Sequence, residues 1–503
     1  MSDSNSKDTL DYAGDYNLGT LILINHVGQP LPLAMGTVAE LNVYEDITAN
    51  AVTGSMHIID FNNIITNAEL QGNERLLFKL STPGTAGDRE GTVDATEETG
   101  YPFHIYALTD RKQYSETTMT YVLHFCSKEL FRNVRTKVSK AYDNNLALSV
   151  VDILRDKNGL NSRKNIHYEE TRNADKIVIP NMRPFDAISM LSNKSLSKNA
   201  KGSGYHFYET SKGFHFRSYE SMLAYSGLYE REEKLTLSFE PSLTGKPGER
   251  VYLNQHNIDS YEVMQHFDTL AQQAMGTYAS RIITHNMYDK SYNIQDYHYH
   301  DHFSSMFHAD QTHSSSSSNF PISDTPVDLD VKDDGTPGDK TVSDYPNSNV
   351  VLQSSTRYLH DENTGIFGTD PDSEGLTEAI RMSQRNQVHN SQRIKIVMPG
   401  HSYIQAGDLI RFKLPSLQPN KGESTGRFDD KHAGRYVISK LRHRVVLGEY
   451  KMVLECVKDS VMRRYTNMPN ELYPLKKEPL GEDKDIYIKD GYHMGERMGP
   501  HSP

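Results

Sequence analysis

A chain of 503 residues is longer than one hydrophobic core usually serves, and it predicts about three or four domains. Its 54 Lys and Arg against 66 Asp and Glu leave a net charge of -12, which excludes a surface that condenses onto nucleic acid. Two cysteines, Cys126 and Cys456, with no CxxC pair exclude a disulfide framework and a cysteine-held zinc site, and point to an intracellular folding compartment.

The start, Met1-Ser2-Asp3-Ser4-Asn5, has neither a basic nor an apolar leader region, and no run of about 18 apolar residues follows. A soluble chain with no export signal and no membrane insertion is expected, with residues 1–18 as a disordered arm. From Gly19, short β-branched runs such as Thr20-Leu21-Ile22-Leu23-Ile24 recur as far as Cys126, so 19–126 reads as all-β. After Ser127 the period changes. Leu146, Val150, Ile153 and Leu154 share a helical face ending before Gly159, and a second helix opens at Pro184 with Phe185, Ile188 and Leu191. Tyr205 to Phe216 reads as a hairpin turning at Ser211-Lys212-Gly213, which makes 127–255 an α+β linking segment.

Strand character returns over 256–303. It stops at an insertion, 304–373, that contains Ser314 to Ser318 and seven Asp against two Lys between Ser323 and Pro346. A helix from Leu376 to Val388 is followed by strands at Ile394 to Val397, Leu409 to Leu414, Tyr436 to Leu441 and Tyr450 to Val457, so that 374–460 completes a second β region. Residues 461–503, with Pro469, Pro474, Pro479 and Pro500, read as an extended tail.

Self-similarity links the two β regions. Asp46-x-x-Ala49-x-x-x-x-Gly54-Ser55 aligns with Asp268-x-x-Ala271-x-x-x-x-Gly276-Thr277, and Phe78-Lys79-Leu80 with Phe412-Lys413-Leu414. Phe103, Ile105, Leu108 and Arg111 align with Tyr436, Ile438, Leu441 and Arg444, and Cys126-x-Lys128-Glu129 with Cys456-x-Lys458-Asp459. Gly54 to Phe78 spans 24 residues, as does Phe412 to Tyr436, whereas Gly276 to Phe412 spans 136. The expected fold is mainly β: two related β-barrel, tube-like domains, the second split by the insertion, joined by an α+β domain. Cys126 and Cys456 are expected to fill one niche in each barrel.

In this order of elements the chain resembles the baseplate hub proteins of T-even-like contractile-tailed phages, whose fold is shared with the hub of type VI secretion spikes. The resemblance covers Gly19 to Val461 and rests on the barrel order, the helix at Pro184 to Leu191 with its following hairpin, and the late helix leading into Gly407-Asp408-Leu409-Ile410-Arg411-Phe412. It implies a structural virion protein with no catalysis and no cofactor, assembled in the host cytoplasm into the tail baseplate. Three subunits, each with two related units, mimic a sixfold ring. The implied partners are two further copies in a homotrimer, the hexameric tail tube protein, the central spike protein and neighbouring baseplate wedge proteins. DNA passes the channel during genome ejection without sequence-specific binding, which suits an acidic lumen. The insertion and the tail depart from the family pattern and would meet neighbouring proteins.

Candidate chemistry is weighed against plainer readings. On a strand, His298, His300 and His302 would point to one side and could meet a metal, with His308 and Asp310 nearby; aromatic packing at a strand end, or an exposed loop, is the preferred reading. Asp328, Asp330, Asp333, Asp334 and Gly335 miss the alternate spacing of a calcium loop and have Asp339 where the closing Glu belongs. Gly245-Lys246 lacks the glycine of a phosphate loop, and Glu169 and Glu170 on a strand would face opposite ways. Arg463-Arg464 and Lys476-Lys477 stand in a tail that is neutral overall. A receptor- or carbohydrate-binding tail protein is the alternative, favoured by thirty tyrosines, and a wall hydrolase is the third reading, for which no acid and base pair emerges.

Overall fold

Thirteen described strands, numbered β1 to β13 in chain order, form one continuous open sheet in the computed structural model. The structure describes residues 9–83 except 20, 92–172 except 99–100, 177–198, 204–223, 235–239, 255–310 except 286–289, 291 and 304, 339–354, 374–414, 429, 432–461 except 447, 486–489 and 492–496. The strands are β1 Leu21–Ile24, β2 Pro30–Leu33, β3 Val38–Asp46, β4 Thr53–Asp60, β5 Arg75–Leu77, β6 Phe103–Gln113 and β7 Met119–Ser127. They continue with β8 Leu235–Ser238, β9 Ser260–Gln265, β10 Gln392–Pro399, β11 Leu409–Lys413, β12 Gly434–Val446 and β13 Glu449–Lys458. Their order is β9, β10, β13, β12, β3, β4, β7, β6, β5, β1, β2, with β11 beside β12 and β8 beside β11.

The same register recurs in both halves. Leu76 faces Phe103, and Ile410 faces Tyr436; Leu108 faces Leu123, and Leu441 faces Leu454. Further along, Leu123 faces Met56 and Met56 faces Leu41, as Leu454 faces Ile396 and Ile396 faces Tyr261. Strands β3, β4, β7, β6 and β5 therefore correspond to β9, β10, β13, β12 and β11. Apolar residues alternate along them, so each strand sends one set of side chains into a single shared core that holds Leu41, Met56, Phe78, Phe125, Ile396, Phe412, Tyr436 and Cys456.

Among the described residues no sheet closes, and the strands expected to make two separate barrels lie in one open sheet. The reason lies in β12, whose 13 residues are long enough to carry two neighbours on one side. Its first residues pair with β11, and Lys440 to Val446 pair with Asp46 to Glu40 of β3, so one half continues into the other.

The insertion is larger than 304–373. Where β3 and β4 are joined by residues 47–52, β9 and β10 are separated by 266–391. This stretch has its own core of Tyr278, Ile282, Tyr297, Tyr299, Phe303, Val342, Ala379 and Ile380. Its strands are Ala279–His285, Tyr292–His298 and Val350–Ser354, flanked by helices Thr269–Ala274, Tyr299–Phe303 and Glu374–Asn390. Residues 9–18, expected as a disordered arm, are pinned: Gly14 accepts from Tyr450 N at 3.0 Å and donates to Gln255 Oε1 at 2.8 Å, and Asn17–Leu18 pair with Leu80 and Ser81.

The α+β segment has a second core, in which helices Leu146–Arg155 and Pro184–Lys194 bury Val150, Ile153, Ile188 and Leu191 against the hairpin Tyr205–Thr210 and Gly213–Ser218. Pro184 occupies the first helical turn, where its missing N–H costs nothing. Gly213 has φ +132°, and a Cβ there would lie 2.3 Å from Asn165 O, so the hairpin turn requires glycine. Residues 463–503 form a separate unit, in which Ile486–Lys489 pairs with Tyr492–Glu496; the rest of the tail expected to be extended lies outside the described residues. No helix among the described residues is long and apolar enough to cross a membrane.

Candidate functional site: the seam between the two halves

The join of β3 and β12 carries a network of charged and polar side chains. Glu40 takes Arg442 at 2.7 Å and Arg444 at 3.0 Å, and Arg442 Nε donates to Asn42 Oδ1 at 2.8 Å. Burial pushes the Glu40 carboxyl up, but the bonds from Arg444 and Asn42 outweigh it and hold the group below the usual carboxylate range. On the inward side of the seam Val43, 1% exposed, lies opposite His443, and Leu441, 2% exposed, lies opposite Glu45, both of them buried.

Three buried carboxylates tie the sheet to its surroundings, one of them at the seam. Glu45 follows Leu41 and Val43 on the inward side of β3, and accepts from Ser211 N at 2.6 Å and Ala406 N at 3.0 Å. Those donors belong to the α+β hairpin and to the second half, so one side chain joins three parts of the chain. Burial pushes this carboxyl up to about 7. Glu209 accepts from Val52 N at 2.9 Å and Ser127 Oγ at 2.6 Å, and it bonds Lys164, which also lies 2.9 Å from Glu129. Burial opposes the Lys164 charge, but the two carboxylates outweigh it and keep the ammonium protonated. Asp459 accepts from Ala309 N at 3.0 Å and meets His308 Nδ1 at 2.7 Å.

Sequence reasoning missed Glu40, Glu45, Lys164 and Glu209; it named Arg444, Glu129 and Asp459 only as members of the repeat, and His308 only as a possible metal ligand. The available signal was parity: an acidic residue at the inward position of an alternating strand needs donors, and Glu45 is one.

The residues singled out from the sequence fall as follows. Phe78 stacks on Phe103 at 5.7 Å, and Phe412 meets Tyr436 edge-on at 6.2 Å. Arg444 is at the seam, and Arg111 is exposed on β6. Gly54 faces Phe125, and Ile394 faces Cys456. Register therefore equates Gly54 with Ile394, not with Gly276, which lies in the inserted subdomain and has φ +75°. It likewise equates Cys456 with Phe125, so Cys126 and Cys456 do not fill one niche. Both thiols are free and buried, and burial pushes Cys126 up to about 12.

The histidine run does not stay on a strand. The strand ends at His298, and His300 and His302 lie on helix Tyr299–Phe303, so alternate spacing no longer sets them on one side. His298 and His300 meet Ser343, His302 stacks on Tyr297 at 5.3 Å, and His308 and Asp310 are bound to Asp459 and Lys458. Among the described residues no group of three His, Cys, Asp or Glu could hold a metal ion. Glu169 caps Ser218 N at 2.7 Å and Glu170 pairs with Lys198 at 2.6 Å, which gives both structural partners. The Asp328 to Gly335 cluster, Gly245-Lys246, Arg463-Arg464 and Lys476-Lys477 lie outside the described residues.

No protein-family model matches the chain, and no curated protein matches it. Solved structures do. A tail protein from Neisseria meningitidis MC58 is 8% identical, with 88% of this chain and 97% of that chain covered at a TM-score of 0.46. The 43 kDa tail protein of prophage MuSo2 from Shewanella oneidensis is 7% identical, with coverage of 88% and 99% and a TM-score of 0.48. An E. coli component of the type VI secretion system, described as similar to the T4 bacteriophage tail proteins gp27 and gp5, is 8% identical, with coverage of 86% and 74% and a TM-score of 0.37.

Proposed function

We propose that the chain is a structural tail protein, a baseplate hub whose three copies close into a ring of six related units. The ring adapts a hexameric tail tube to a trimeric central spike and surrounds the channel that DNA crosses. The observation that carries this reading is the seam. Within one chain, β3 of the first half pairs with β12 of the second. Their counterparts, β9 and β6, lack such a partner among the described residues: β9 ends the described sheet, and beyond Ile105, whose N–H donates to Glu74 O, β6 has β7 as its one described strand neighbour.

Exposure follows the same division. Leu441 is 2% exposed at the seam and its counterpart Leu108 is 36%; Val43 is 1% and its counterpart Val263 is 36%. A second copy that laid its β6 along β9 would repeat the seam between chains. A contact of this kind is heterologous, so it closes as a ring when its rotation permits. The far end of the sheet is no rival, because β2 carries Pro30 and Pro32, which have no N–H to donate.

Paired cysteines test the ring. Val263→Cys combined with Thr109→Cys or Asp110→Cys should give disulfide-linked species that end at three chains under oxidation, with a matching mass by light scattering. The native thiols are buried and should not compete. A ladder that ends at two chains, or no cross-link with a monomeric mass at high concentration, would refute the reading.

A further inference from the structure

Away from the seam, an open cleft of about 850 Å³ lies between the Asn25 to Gly28 turn, β6 and the helix Lys128–Arg135. Its wall carries Arg75, Lys128, Arg132 and Arg163 against Glu97 and Glu129. Both acids are already engaged: Glu97 pairs with Arg75, and Glu129 is held by Lys164 and by Ser162 Oγ at 2.7 Å. Arg132 donates one N–H to Leu160 O at 3.0 Å and keeps its charge, and Lys128 stands one turn before it on the same helix face. The wall is therefore cationic in a chain whose net charge is -12.

The titrating groups register this potential. Burial lowers the Lys128 ammonium, and Arg132 and Arg163 add to the effect. Burial also lowers His104, which lines the same wall, to about 4, with Lys128 and Arg75 next in weight. Burial is the larger cause at both groups, and the neighbouring cations add to it.

We infer that this cleft binds a short acidic peptide segment of a protein partner, with its carboxylates received by Lys128, Arg132 and Arg163. Guanidinium groups match carboxylates in two-pronged bonds, and the cleft has the volume of sites that enclose a ligand rather than a lone ion. A nucleic acid strand fits less well, because its phosphates extend beyond the cleft onto a surface with excess negative charge. The inference goes beyond the hub reading and does not depend on it.

The test is fluorescence anisotropy of the full chain with a labelled hexaaspartate peptide, inorganic phosphate as competitor, and a single-stranded oligonucleotide as a parallel probe. Lys128→Glu and Arg163→Glu should each weaken peptide binding by about tenfold. Lys79→Glu, an exposed lysine elsewhere, should not change it. Bound peptide should also protect Lys128 from amine acetylation, a readout that does not depend on how well the variants fold. No peptide binding, equal binding by the charge-reversed chains, tighter binding of the oligonucleotide, or complete displacement by phosphate at the peptide's own concentration would overturn the inference.

Discussion

Glu45 shows how one side chain can set a pH response. Its carboxyl ordinarily titrates near 4.5, and in the folded chain burial moves it to about 7, although two backbone N–H groups favour the charge. Between those values the folded chain holds a proton that the unfolded chain has lost, so stability falls as pH rises through this window. The full shift corresponds to about 3 kcal/mol. Glu45→Gln removes the titration. Urea unfolding of both proteins should show the variant losing about 3 kcal/mol less than the native chain on going from about pH 5 to about pH 8. Equal losses would show that the carboxyl is solvated or already ionised. The charge of Glu45 is plain in the sequence, but its environment is not, because the donors Ser211 and Ala406 are supplied by segments far along the chain.

At the scale of strands, the two halves solve one packing problem with opposite sizes. In the first half Gly54 faces Phe125, and a Cβ on Gly54 would come 2.2 Å from the ring and 2.5 Å from Asn42 O. In the second half the larger residue is Ile394, and the smaller is Cys456. Close-packed interiors fix the sum of such volumes more tightly than either member. Gly54→Ala should therefore cost about 2 kcal/mol in chemical unfolding. Phe125→Leu in the same chain should return part of that loss, and no recovery would place the strain at the backbone contact alone. This size exchange also explains why a residue-by-residue alignment of the halves slips: Phe125 and Cys456 share a position but no chemistry. Local elements were readable, since Pro184 at a helix start and glycine after a tight turn act within a few residues. The limits of the inserted subdomain were not, because its strands look like those of the sheet they interrupt.

The mainly β character of the whole chain was legible from alternating apolar runs. The open sheet was not, because the pairing of β3 with β12 joins residues about 400 apart in sequence. Nothing local in Leu441 or Leu108 says which one will be covered. If the proposed ring forms, that difference becomes a tool. Leu108→Asp and Val263→Asp change exposed residues, and each should leave the thermal midpoint of the isolated chain within about 2 °C while abolishing the trimeric mass in light scattering. Retention of the trimer in both variants would place its contacts elsewhere.

The inserted subdomain has a consequence for how such a ring would be read by its neighbours. It interrupts only the second half, between β9 and β10, while the matching link in the first half is residues 47–52. Around the circuit, every other unit would bear this projection. A partner that touches only the sheet shared by all units meets a sixfold wall, whereas a partner that reaches the projections counts three. One polypeptide would thus present two symmetries at once, and the depth at which a neighbour engages it would decide which of them that neighbour experiences.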